Sequence, residues 1–190
     1  HYIKEKFKKP GAVFLGLVHR LDRPVSGVVV LARTSKALER MNSLFRNKKT
    51  MKVYWAIVVN QPPQDEGTLS HWLLKDAQKN RTSAFKVETP GAQHASLYYR
   101  VLGKETGAWL LEVNPVTGRP HQIRVQLATM GCPIKGDIKY GDKEANADGS
   151  IYLHARHLSF EHPIRREPLQ VQAPPPAMGL WKYFLKLDLG

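Results

Sequence analysis

Apolar residues recur at every second position in several stretches of this chain and at helical spacing in only two, which restricts it to a mixed fold. Lys52–Asn60 is rich in β-branched and aromatic residues and reads as a strand. Strand periodicity sets Tyr54 and Ala56 on one face and Val53, Trp55 and Ile57 on the other. Ser96–Leu102 and Ala108–Asn114 alternate as paired strands, with Gly103 and Gly107 bracketing a turn. Thr68–Leu74 and Ile151–Phe160 are further strands, and the polar residues 75–92 form a hairpin or an exposed excursion. Ala12–Val18 reads as a strand or extended segment, and Val28–Ala32 as a buried strand. Helical spacing appears in Ala37, Leu38, Met41, Leu44 and Phe45, behind an N-cap at Thr34-Ser35. It returns in Ile123, Leu127 and Met130, where Thr117-Gly118-Arg119-Pro120 opens the helix with proline in its first turn and Gly131 stops it. From Pro163 the pattern is irregular until Leu180–Leu187. Antiparallel-looking strands with two clear helices predict an α+β fold. One domain is expected over residues 1–190, with a basic N-terminal arm (1–11) and a C-terminal appendage (177–190).

Charge narrows the partners. The 190 residues hold 29 Lys and Arg against 16 Asp and Glu, a net charge of +13. Such an excess favours a polyanion, through long-range attraction and counterion release. Nucleic acid leads, and an anionic membrane surface is the weaker candidate. No apolar run approaches the roughly 18 residues of a membrane span, and no secretory pattern opens the chain. Cys132 is the only cysteine, which excludes an intramolecular disulfide and a cysteine-based zinc site and suits a reducing cytosol. The eight histidines lack ligand spacing, so no structural metal is expected.

The most informative stretch is His19-Arg20-Leu21-Asp22-Arg23-Pro24-Val25-Ser26-Gly27. It sets one carboxylate among two arginines and a histidine, and neighbouring cations favour the charged form of an acid. Pro24 and Gly27 mark a loop, fed by rigid structure on the far side, which is a frequent address for a catalytic group. For an isolated Asp beside Arg, a surface loop with an ordinary salt bridge is the reading that normally wins, since exposed pairs are common and contribute little. Arg124 falls beside the apolar stripe of the second helix, where a charge needs a partner or an anionic ligand, and Asp22 is the candidate partner.

His19 to Gly27 resembles the signature motif of the RluA-type pseudouridine synthases. Lys52-Val53-Tyr54-Trp55-Ala56 resembles the second motif of that family. Thr117 to Val125, with Gly131-x-Pro133-Ile134-x-Gly136-Asp137 and Tyr140-Gly141, resembles the third. Leu153-His154-Ala155 and Phe160-x-His162-Pro163 match the closing strand. The similarity runs from about residue 13 to Pro174. The chain departs from the pattern at Val25, where the family usually has threonine, and at Pro120, often threonine. The family also carries an upstream strand with a Lys-Pro segment, which a chain starting at His1 is expected to lack.

The resemblance implies a pseudouridine synthase fold, a mixed and largely antiparallel sheet with flanking helices and a central RNA-binding cleft. It makes Asp22 the catalytic aspartate, attacking the uracil ring or the ribose anomeric carbon or removing a ribose proton. Arg124 would aim it and hold it ionised, and Tyr54 would stack on the uracil and help to remove the C5 proton. An enzyme reaching C1′ in structured RNA must unstack the base, and Arg20 would fill the vacated place. Arg119 is a candidate phosphate contact near a helix N-terminus, and His19 and Arg23 are candidate RNA contacts. No cofactor and no metal are implied. Ribosomal or transfer RNA is the expected partner of a cytoplasmic monomer without an obligate protein partner. A non-catalytic RNA-binding module on the same fold is the alternative. A hydrolase using Asp22 ranks lower, since no second carboxylate stands at a motif position.

Overall fold

The computed structural model describes residues 1–8 and 10–186. Lys9 of the basic arm and residues 187–190 of the C-terminal appendage lie outside the described residues. The first half runs α1 (Tyr2–Lys6), β1 (Gly16–Leu17), β2 (Ser26–Gly27), β3 (Leu31–Ala32), α2 (Ser35–Arg46), β4 (Thr50–Val58), β5 (Glu66–Asp76) and β6 (Arg81–Phe85). The second runs β7 (Gln93–Glu105), β8 (Ala108–Pro115), α3 (Gln122–Thr129), β9 (Leu153–Glu161), β10 (Pro168–Gln172) and α4 (Trp181–Phe184).

Seven strands form one antiparallel path, β10-β9-β4-β8-β7-β5-β6, and β2 joins it as an eighth strand, parallel to β9. This is the expected α+β architecture, a mixed sheet that is mostly antiparallel. The two faces of β4 separate as its periodicity dictates. Ala56 and Val58 enter a core with Leu97, Leu111, Val113, Ile123, Leu127 and Leu153, against which Tyr54 packs. Trp55 and Ile57 meet Leu110, Trp181 and Phe184 on the other face.

Helix α2 begins where its cap predicts, with Thr34 Oγ1 accepting from Ala37 N at 3.1 Å. Only Met41 of its stripe is fully buried. Helix α3 is buried on every side from Gln122 to Leu127, beyond what its apolar stripe implied. Most of the polar side-chain atoms it buries are partnered, Gln126 Oε1 being an exception. Gln122 Nε2 donates to Ser96 O at 3.0 Å, and Gln126 Nε2 donates to Leu69 O at 3.1 Å. A buried polar group with partners escapes most of the desolvation penalty.

Several of these expectations change in the structure: Val28–Ala32 is not one buried strand, since Gly27 turns the chain at φ 118°, Val29 and Leu31 are exposed, and among the described residues Leu31–Ala32 pairs only with β1. Of Ala12–Val18, only Gly16–Leu17 is strand. Gly103 lies inside β7, where the register with β8 slips, and the turn is Thr106-Gly107 with φ 50° and 77°. Two positive φ values in a two-residue connection match the twist of the strands they join. Pro120 precedes the second helix by two residues, leaving His121 as its N-cap. After Pro163 the chain is not irregular throughout, since β10 pairs with β9 over five residues.

Candidate active site

Asp22 sits on the loop between β1 and β2, which closes on itself by one hydrogen bond and is tied to the rest of the fold by two more. Val25 N donates to Asp22 O at 2.9 Å, closing a turn; Ile151 N donates to Pro24 O at 3.0 Å; Val28 N donates to Ala155 O at 2.9 Å. Gly27 is required here, because a β-carbon would collide with the Ala155 backbone. Ser26 Oγ lies 2.8 Å from His154 Nδ1, and His154 Nε2 lies 3.0 Å from Ala173 O. The carbonyl can only accept, so Nε2 carries the hydrogen and Ser26 donates to Nδ1.

The expected partner is in place. Arg124 Nη1 donates to Asp22 Oδ2 at 3.1 Å, with Arg124 6% exposed on α3. Arg124 also donates through Nε and Nη2 to Asp137, at 2.7 and 2.9 Å. That bidentate partner, 1% exposed in the turn after Gly136, was not singled out from the sequence. Burial opposes the guanidinium charge, but Asp137 and Asp22 together hold its pKa above the ordinary value.

The aspartate opens on a cleft of about 200 Å³ lined by His19, Arg20, Leu21, Val25, Lys52, Tyr54, Arg119, His121, Ile123 and Arg124, among others. Tyr54 reaches it from β4, at the point where a bulge shifts the β4–β9 register between Val53 and Tyr54. Such bulges re-aim a side chain. Burial, with the Asp22 charge adding to it, pushes the Tyr54 phenol up to about 12. At neutral pH the ring is a protonated, largely apolar platform.

Arg20 is exposed at the rim of the cleft. His19 stacks on Phe45 at 4.9 Å, and its Nε2 accepts from Val30 N at 3.1 Å. Burial and then the Lys52 charge lower its pKa, favouring the neutral ring. Arg119 lines the cleft with its Nε donating to His94 O at 3.2 Å. Arg23 is exposed and does not line the cleft.

Sequence reasoning passed over Lys52, two positions before Tyr54 on the same face of β4. Its amine faces Gly118, where a β-carbon would stand 3.7 Å from Nζ. Burial lowers its pKa, and it has no hydrogen bond or ion pair among the described residues. His121 was also passed over, although it lies between two motif residues. Its Nε2 is 3.9 Å from Asp22 Oδ2. Among the described residues no group of three or more His, Cys, Asp or Glu side chains could hold a metal ion.

The family model described as RNA pseudouridylate synthase matches residues 2–129, and the chain belongs to that family. Ribosomal large subunit pseudouridine synthase C of Vibrio cholerae is 35% identical over 172 residues, 87% of this chain and 53% of the relative. An RNA pseudouridine synthase of Zymomonas mobilis is 35% identical over 161 residues, 84% of this chain and 73% of the relative. The solved structure of human RNA pseudouridylate synthase domain containing 4 superposes with a TM-score of 0.70 at 29% identity, covering 84% of this chain and 70% of that one. The chain spans about half the length of the ribosomal synthases it matches.

Proposed function

We propose that this chain is the catalytic domain of an RNA pseudouridine synthase that converts uridine in structured RNA to pseudouridine. The observation that carries the reading is the Asp22 carboxylate, ion-paired at 3.1 Å to a buried arginine and opening on a cleft with Arg20, Lys52 and Arg119 around it. The overall change is an isomerisation. The N1–C1′ bond breaks, C5 bonds to C1′, C5 loses its hydrogen and N1 gains one.

Asp22 is the group that meets the nucleoside, at the uracil ring, at C1′ or at a ribose proton. Arg124 holds it in place. Because Asp137 already pairs with Arg124, loss of charge at Asp22 during reaction would not leave the guanidinium uncompensated. Tyr54 offers a stacking face for the uracil, and a phenol pushed up to about 12 is a poor base for the C5 proton. Arg20, with its planar guanidinium, is suited to occupy the space a flipped base leaves. Arg119 and Lys52 are suited to phosphates. His19 contributes through its packing against Phe45, and Arg23 is a more distant RNA contact on the exposed loop.

The relatives named for the large ribosomal subunit make ribosomal RNA the first substrate to try, with transfer RNA second. The reading is of a monomer acting in the cytoplasm. No helix among the described residues is long and apolar enough to cross a membrane. The test is nucleoside analysis of unmodified RNA incubated with the full chain. Pseudouridine should appear at the expense of uridine, without free uracil. Free uracil would mark a hydrolase, and tight binding with neither product would mark a binding module.

A further inference from the structure

His121 is held in a strained conformation that its role as a helix cap does not explain. It has φ 54° and ψ 20°, the left-handed region, and its side chain makes no capping hydrogen bond to α3. Such a conformation costs a residue with a β-carbon about 1 kcal/mol or more. The ring is engaged elsewhere. Its Nδ1 lies 2.6 Å from Tyr140 Oη, and the two rings meet edge to face at 5.6 Å. Tyr140 Oη accepts from Thr82 N at 2.8 Å. The Thr82 hydroxyl also stands beside the phenol, with its own hydrogen donated to Pro120 O at 3.1 Å, but the short 2.6 Å contact makes His121 Nδ1 the acceptor the geometry favours for the phenol hydrogen, and the neutral imidazole then carries its hydrogen on Nε2. That nitrogen faces Asp22 Oδ2 at 3.9 Å. The same oxygen already accepts from Arg124, whereas Asp22 Oδ1 has no hydrogen bond among the described residues.

We propose that His121 is a positioning residue for Asp22: its Nε2–H closes onto Oδ2 when a nucleoside fills the cleft, leaving Oδ1 as the oxygen that meets the substrate. This rests on the reading of Asp22 as the catalytic group. At 3.9 Å the contact is too long for a hydrogen bond, but hydrogen bonds within active sites often tighten only when the substrate is bound. One donor leaves a carboxylate free to pivot about Cβ–Cγ, and two donors from different directions fix its plane. A neutral donor also steadies the carboxylate without damping its reactivity as a second cation would. Burial lowers the His121 pKa, opposed by Asp22 and reinforced by Arg124, Lys75 and Lys139, which keeps the ring neutral at pH 7. The strain at residue 121 is then the cost of aiming a ring that Tyr140 locks in one tautomer.

Nitrogen-15 NMR of the histidine-labelled full chain reads the lock directly. The expected spectrum has His121 protonated at Nε2 and accepting at Nδ1, with Tyr140→Phe mixing the tautomers and Asp22→Asn lowering the His121 pKa. A proton on Nδ1, or no response to Asp22→Asn, would overturn the proposal. Turnover gives the second reading. His121→Leu should lower kcat about tenfold or more with KM for RNA within about twofold, and His121→Gln, which restores an N–H near the Nε2 position, should recover most of the loss. Wild-type kcat in the leucine variant, or equal losses in both, contradicts it. If the wild-type chain isomerises no uridine, the proposed function falls while the NMR arm still decides whether His121 is aimed at Asp22.

Discussion

Asp137 grips Arg124 with two hydrogen bonds of 2.7 and 2.9 Å, and Asp22 takes a third from the same guanidinium at 3.1 Å. The two carboxylates divide the work. Asp137, 1% exposed, serves the fold, whereas Asp22 stands at the edge of the cleft with Oδ1 free of hydrogen bonds among the described residues. Asp137→Asn removes the more buried of the two counter-charges but leaves Arg124 its pair with Asp22. It should therefore lower unfolding free energy in urea titration by about 1.5–3 kcal/mol, the range for a lost charge-assisted hydrogen bond, and an unchanged stability contradicts the pairing. A double variant, Asp137→Leu with Arg124→Met, should regain much of the stability while turnover stays low, because Asp22 has lost its anchor.

Lys52 should act on RNA affinity. Lys52→Met is expected to raise KM for RNA and reduce the slope of log affinity against log salt by about one, with kcat within about twofold. The salt series decides this, since loss of packing alone would leave the slope unchanged.

Acid should weaken the fold before it touches the carboxylates. Burial lowers the pKa of His19, His71, His121 and His154 from 6.5. Each is held neutral in the folded chain, so below pH 6.5 the unfolded chain binds more protons and stability falls as pH falls through each folded pKa. Tyr54 gives the alkaline counterpart: with its phenol raised from 10.0 to about 12, stability is lost as pH rises through that interval. Urea midpoints at pH 7.5, 6.5 and 5.5 should decline in that order, and a flat series would contradict the histidine burial.

The strands and the Asp22–Arg124 pair were legible in the sequence because each follows from a short-range rule. β4 sorts its faces by alternation, Thr34 announces a cap, and a charge beside an apolar stripe demands a partner. What escaped has no periodicity or cap signal of its own and depends on how turns and neighbouring strands pack against α3. Asp137 stands in the sequence only as one residue of the third motif, and the placement of α3 against its turn brings it to Arg124. His121 depends on Tyr140 and Thr82, which arrive from a turn and from β6. The Val28–Ala32 run was misread because its apolar composition hides the break at Gly27, where the chain leaves β9 for the β1–β3 ribbon.

Asp22 is proposed to carry a uridine isomerisation. The most direct measurement is tritium release from unmodified RNA labelled at uracil C5, with the wild-type chain and Asp22→Asn in parallel. The wild type should release tritium and the variant none, with RNA affinities within about threefold of each other, because Asp22 contributes reactivity and not phosphate contact. Equal release by the two proteins would contradict the role of Asp22.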